Sequence, residues 1–86
     1  MNLRFKKSFS KSYKKLSSSD KERVDIAMLS FQQDPFQKEL SNHALKGSMQ
    51  GLHAFSAGFD LRVIYREEGD HAVVYLLKTG SHNQVY

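Results

Sequence analysis

The hydrophobic period of this chain changes at Asp34-Pro35, and that change limits the fold more than any single residue does. Before it, Phe5, Phe9, Tyr13 and Leu16 recur at three- and four-residue spacing, and so do Val24, Ala27, Met28 and Phe31. Each set falls on one stripe of an amphipathic helix. Ser17-Ser18-Ser19 breaks the first run, and Ser19-Asp20-Lys21-Glu22 has the form of a capping box opening the second helix. That helix must stop at Asp34, because the residue before a proline is pushed out of helical geometry. Two helices joined so closely form an antiparallel hairpin.

Beyond Pro35 the pattern becomes that of strands. Phe36 to Gly51 reads as a loop anchored by Leu40 and Leu45 and punctuated by Gly47 and Gly51. Leu52 to Ala57 alternates weakly, Gly58 marks a turn or bulge, and Leu61-Arg62-Val63-Ile64-Tyr65 follows as a strand. Glu67-Glu68-Gly69-Asp70 is a hairpin turn in which Gly69 can take positive φ, and His71 to Lys78 is a last strand apolar on both faces. A short alternating segment, Asn2 to Lys6, supplies a first strand. No repeat, linker or low-complexity segment divides residues 1–86. The expected architecture is one α+β domain of order β-α-α-β-β-β, with a two-helix hairpin packed on a small, mainly antiparallel sheet.

Arg62 needs an explanation within that scheme. Strand side chains alternate, so Leu61, Val63 and Tyr65 should pack on the core while Asp60, Arg62 and Ile64 look the other way. An arginine on an open sheet face offers five donors in a rigid fork that fits a phosphate. The plainer alternative is an ion pair with Asp60 or Glu67.

Charge gives a partner class. The net charge is +4, and Arg4, Lys6, Lys7, Lys11, Lys14, Lys15, Lys21 and Arg23 hold eight of the 13 basic groups. Such a patch suits a polyanion, whether nucleic acid or an acidic protein, although a solvated helix face has the same composition. The chain has no cysteine, which removes disulfides, thiolate metal sites and thiol nucleophiles and fits a reducing compartment. The lysine-rich start lacks the apolar run of a signal peptide, and Ala72 to Leu77, the longest apolar stretch, is too short to span a bilayer. A cytoplasmic protein without membrane contact is expected. His43, His53, His71 and His82 are not spaced for a helical metal motif, and no phosphate-cradling glycine loop is present, so no metal or cofactor is expected. His82, in a tail that leaves the last strand through Gly80, can exchange a proton near neutrality.

Phe5-Lys6-Lys7-Ser8-Phe9, Lys14-Lys15-Leu16, Asn42-His43-Ala44-Leu45-Lys46-Gly47, Leu61-Arg62-Val63-Ile64-Tyr65 and Thr79-Gly80-Ser81-His82 with Tyr86 occur in an order and spacing that resembles the RelE/ParE superfamily of bacterial toxins. Within it, the chain is most similar to YafQ-like and RelE/StbE-type messenger RNA interferases. The resemblance covers nearly the whole chain. It implies a compact RelE-like sheet flanked by two helices, cleavage of mRNA on the ribosome, and neutralisation by an acidic antitoxin, with the free toxin monomeric and a larger assembly formed on neutralisation.

The resemblance also assigns roles. His43 matches an active-site histidine before Leu-x-Gly, Asp60 a catalytic aspartate, His82 the histidine of the closing Thr-Gly-x-His motif, and Tyr86 a terminal aromatic. Arg62 matches the arginine set against the scissile phosphate, and Lys78 replaces an arginine common before the final turn. Ser56 stands where YafQ-like toxins have a further histidine, and His53 is the one basic group offered by the second strand. The implied reaction is metal-free: the ribose 2′-hydroxyl attacks phosphorus, with Asp60 or His43 as base, Arg62 and Lys78 as clamp, His82 as acid and Tyr86 stacked on a base. A nearby Arg62 would lower the basicity of Asp60, which favours His43. Lys7, Lys11, Lys14 and Lys15 would meet ribosomal RNA or the antitoxin. The competing function is that of ParE-like members, which bind DNA gyrase and would not need histidines grouped around an arginine.

Overall fold

Two long antiparallel strands, Leu61–Glu68 and Val73–Ser81, form the centre of the sheet in the computed structural model, which describes residues 1–86. In chain order the elements are β1 (Asn2–Phe5), α1 (Lys7–Lys14), α2 (Ser18–Gln33), β2 (His43–Ala44), β3 (His53–Ser56), β4 (Leu61–Glu68), β5 (Val73–Ser81) and α3 (His82–Val85). The sheet order is β1-β5-β4-β3-β2, with β1 parallel to β5 and the other pairs antiparallel. The expected α+β arrangement is therefore present, with two additions: the two-residue edge strand β2 inside the expected loop, and α3 in the tail.

Both helices cover one face of the sheet. Phe9 of α1 and Val24, Ala27 and Phe31 of α2 share one core with Phe55, Leu61, Val63, Tyr65, Val74 and Leu76. Tyr65, Phe31, Phe55 and Val63 are almost wholly buried there, each contributing roughly 1.5–3 kcal/mol by leaving water. The opposite face is not open, as expected for Arg62, but partly covered. Ala54, Ile64 and Val85 form a small second core with Leu45, Met49, Leu52 and Leu77 around it. Strand β5 serves both cores through a bulge: Ile64 pairs with Lys78 and Tyr65 with Leu76, leaving Leu77 as the extra residue.

The start of α2 corrects the expected cap. Ser17, not Ser19, is the N-cap, its hydroxyl accepting from the Asp20 backbone N–H at 3.2 Å, while Ser19 bonds the Ser17 hydroxyl. Only Lys15, Leu16 and Ser17 separate the helices, so the first of the three serines has to begin the new one. The end of α2 is as expected: Asp34 is extended, with φ −158° and ψ 106°.

Candidate functional site

Alternation along β4 points Arg62 away from the helices, between Ser56 of β3 and Gly80 of β5. The Gln84 side chain lies over Gly80, and the guanidinium leans to the other side. Its Nη1 donates to the carbonyls of Phe59 and Leu61, each at 3.0 Å, and to the Ser56 hydroxyl at 3.4 Å. The ion pairs of the protein are Arg23 with Asp20, Arg66 with Glu68, and His71 with Asp70. Arg62 has no carboxylate partner, so neither Asp60 nor Glu67 neutralises it. Since all three bonds leave from one nitrogen, Nε and Nη2 keep their donors for a ligand.

Beside Arg62 lies a shallow cleft of about 600 Å³ lined by His43, Leu45, Lys46, Ser48, Met49, Arg62, His82 and Tyr86. Four sequence-predicted residues, His43, Arg62, His82 and Tyr86, are thus brought together from three separate segments. Lys46, Ser48 and Met49 were missed as site residues, although Lys46 belongs to the Leu45-Lys46-Gly47 stretch next to His43. No aspartate or glutamate lines the cleft, and Arg62 and Lys46 supply its positive side chains.

Each reactive group has a local support. His43 is exposed on β2, and its Nδ1 lies 2.8 Å from the Ser41 carbonyl, which can only accept. The proton of the neutral ring therefore sits on Nδ1, and Nε2 presents its lone pair. Ser41 has the left-handed backbone, φ 47° and ψ 41°, that turns this carbonyl toward the ring. His82 opens α3, and its backbone N–H donates to the Asp60 carbonyl at 3.1 Å. Gln84 Oε1 accepts from the Ser81 N–H at 2.8 Å, closing the start of that turn. The Tyr86 ring meets His82 edge-on with centroids 4.4 Å apart. Partial burial pushes the Tyr86 hydroxyl up from its ordinary value and the Arg62 charge opposes this, so the phenol is protonated at neutral pH.

Other sequence-predicted residues lie elsewhere. Asp60 precedes β4, and the left-handed Phe59 before it, with φ 47°, breaks the alternation that was to place its carboxylate beside Arg62. Asp60 instead lines a separate depression with Asp20, Arg23 and Ser81, and only its main chain reaches His82. Lys78 lines another depression with Lys15, Gln84 and Val85, on the other flank of α3. His53 sits opposite Tyr65 on the helix-covered face and stacks on it, with centroids 5.1 Å apart at 20°. Lys7, Lys11, Lys14 and Lys15 are exposed on and after α1, away from the cleft. No three histidine, aspartate or glutamate side chains converge where they would hold one metal ion, and no helix is long and apolar enough to cross a membrane.

Several solved structures with this fold are bacterial toxins. YafQ from E. coli strain BL21(DE3) superposes with a TM-score of 0.83 at 18% identity, covering 99% of this chain and 97% of the other. The YoeB/ParE toxin from Agrobacterium tumefaciens gives 0.77 at 20% identity, covering 95% and 99%. The toxin–antitoxin complex RelBE2 from Mycobacterium tuberculosis gives 0.64 at 19%, covering 94% and 96%. No curated protein sequence matches the chain. At these identities the superpositions establish the fold; the family rests on a sequence model, that of the YafQ toxin, which matches residues 1–86 throughout. The chain belongs to the YafQ family of toxins of bacterial type II toxin–antitoxin systems.

Proposed function

We propose that this toxin cuts messenger RNA on the ribosome by metal-free attack of a ribose 2′-hydroxyl on the adjacent phosphorus. The observation that carries this reading is the convergence of His43, Arg62, His82 and Tyr86 on one cleft that also holds Lys46 and no acidic side chain. His43 Nε2 takes the 2′-hydroxyl proton as the oxygen bonds to phosphorus. Arg62, through its free Nε and Nη2 donors, and Lys46 stabilise the charge gathered on the phosphorane oxygens. As the bond from phosphorus to the 5′-oxygen breaks, protonated His82 supplies that oxygen with a proton. The products are a 2′,3′-cyclic phosphate and a 5′-hydroxyl. Tyr86, neutral and half in the cleft, provides a ring face for the adjoining base.

An acidic antitoxin is the proposed partner: the RelBE2 neighbour is a toxin–antitoxin complex, and the lysines of α1 give this chain a complementary surface. Cytoplasmic action follows from a ribosomal target.

The test is incubation of the purified protein with translating ribosomes, followed by mapping of new mRNA 5′ ends. Cleavage within translated codons that becomes about a hundredfold or more slower, but stays measurable, in His43→Ala and Arg62→Ala is the expected result. Intact mRNA together with inhibited DNA gyrase supercoiling would instead establish the ParE-like function.

A further inference from the structure

His43 stands on a strand too short to hold it. Strand β2 has two residues, pairs only with His53 and Ala54, and lies at the edge of the sheet. The residue before it, Asn42, is bound from the opposite face by groups that the proposed reaction does not use. Asn42 Nδ2 donates to the Pro35 carbonyl at 3.0 Å, and Asn42 Oδ1 accepts from the Tyr65 hydroxyl at 2.8 Å.

The direction of every bond in this network follows from one atom. The Pro35 carbonyl can only accept, so the Asn42 amino group must face it and Oδ1 must face Tyr65. The Tyr65 hydroxyl has a single proton, which it gives to Oδ1, so His71 Nε2, 3.0 Å from the same hydroxyl, must be the donor to it. Tyr65 itself is wholly buried in the main core, edge-on to Phe31 and tilted against Phe55. A rigid core residue is thereby linked through one amide to the chain on which Ser41 and His43 lie.

We propose that Tyr65, acting through Asn42, is a positioning residue that holds the Ser41 carbonyl against His43 Nδ1 and so keeps Nε2 free to accept a proton. The proposal rests on His43 being the base of the reading above. Tyr65 touches no reacting atom and acts from the other side of the sheet. Its ring supports the core and its hydroxyl supports the site, so the two contributions are separable by Tyr65→Phe.

The experiment has two independent readouts. Nitrogen-15 NMR of the histidines in the ligand-free protein reports the tautomer of His43: neutral His43 should be protonated on Nδ1 in the parent and a mixture of tautomers in both Tyr65→Phe and Asn42→Ala. Cleavage on ribosomes should lose roughly tenfold in kcat in Tyr65→Phe with KM unchanged, a fraction of what a general base supplies. In a His43→Ala background the same change should cost less than twofold, because the group it positions is gone. An unchanged tautomer in both variants overturns the proposal, as does an equal loss of rate with and without His43. If the protein cuts no RNA, the cleavage reading fails while the tautomer measurement still decides the positioning role.

Discussion

The backbone N–H of His82 donates to the carbonyl of Asp60 at 3.1 Å, so the turn before β4 and the first residue of α3 are joined through main chain alone. The Asp60 side chain is exposed and turned into a different depression. Asp60→Asn should therefore leave cleavage within about threefold of the parent, since it keeps the carbonyl that holds His82. A loss of a hundredfold would place the carboxylate in the chemistry.

Arg62→Ala should behave oppositely. The guanidinium is the one arginine head group in the cleft and no carboxylate competes for it. Removing one preorganised donor to transition-state charge costs about 10²–10³ in rate. The midpoint of thermal unfolding should move by only a few degrees, because Arg62 is half-buried and its bonds go to a solvent-accessible turn. A variant that retains full activity, or one that does not fold, would remove Arg62 from the role of phosphate clamp.

Tyr65 gives a prediction in alkali. Burial is the main cause that pushes its hydroxyl from 10.0 to about 12, with the Glu67 charge assisting. In the unfolded chain the group ionises near its ordinary value. The folded state thus holds this proton more tightly, and the associated stability is complete below pH 10, falling as pH rises from 10 toward 12. Two units correspond to on the order of 3 kcal/mol. Denaturant unfolding measured at pH 8 and pH 11 should show a smaller drop in Tyr65→Phe than in the parent; equal drops would mean that the hydroxyl is not shielded.

Sequence periodicity located what local chemistry determines. Arg62 and Ile64 point away from Val63 and Tyr65 because alternation holds throughout β4, and Pro35 stops α2 because its effect on the preceding residue is steric. What was not legible depended on distant partners. Two residues, His43 and Ala44, show no alternation, and they are a strand only because β3 runs beside them. The four residues of α3 carry no helical stripe; they are shaped by the Gln84 bond to Ser81 and the Asp60 bond to His82. Asp60 was expected to share a face with Arg62, but the left-handed turn at Phe59 ends the alternation one residue earlier. His53 was placed among substrate groups for its charge, whereas its register opposite Tyr65 turns it to the helices. The family resemblance supplied His43 and His82, which periodicity alone could not join to Arg62.

Metal independence is testable without reference to the site. With no three ligand side chains convergent, cleavage should be unchanged after dialysis against a strong chelator. Loss of activity restored by one particular cation would require ligands contributed by the RNA or the ribosome and would displace His43 as the agent that removes the proton.

The last prediction concerns the lysines of α1. Lys7, Lys11, Lys14 and Lys15 are exposed and none takes part in an ion pair. Next to them, Phe5, Phe9, Tyr13 and Met28 line a groove whose charged rim is Lys14, Lys21 and Asp25, and Phe5 is 53% exposed. A cationic rim around apolar side chains suits an acidic segment that folds as it docks, with charge raising the encounter rate and apolar burial setting the lifetime of the complex. Replacing the four lysines by glutamine should slow association with the antitoxin about tenfold or more at low salt and flatten the salt dependence, while changing the dissociation rate little. Phe5→Ala should do the reverse, raising the dissociation rate with association nearly unchanged. If the lysine variant binds the antitoxin as fast as the parent and with the same salt slope, while its affinity for ribosomes falls, these residues serve the ribosomal RNA instead.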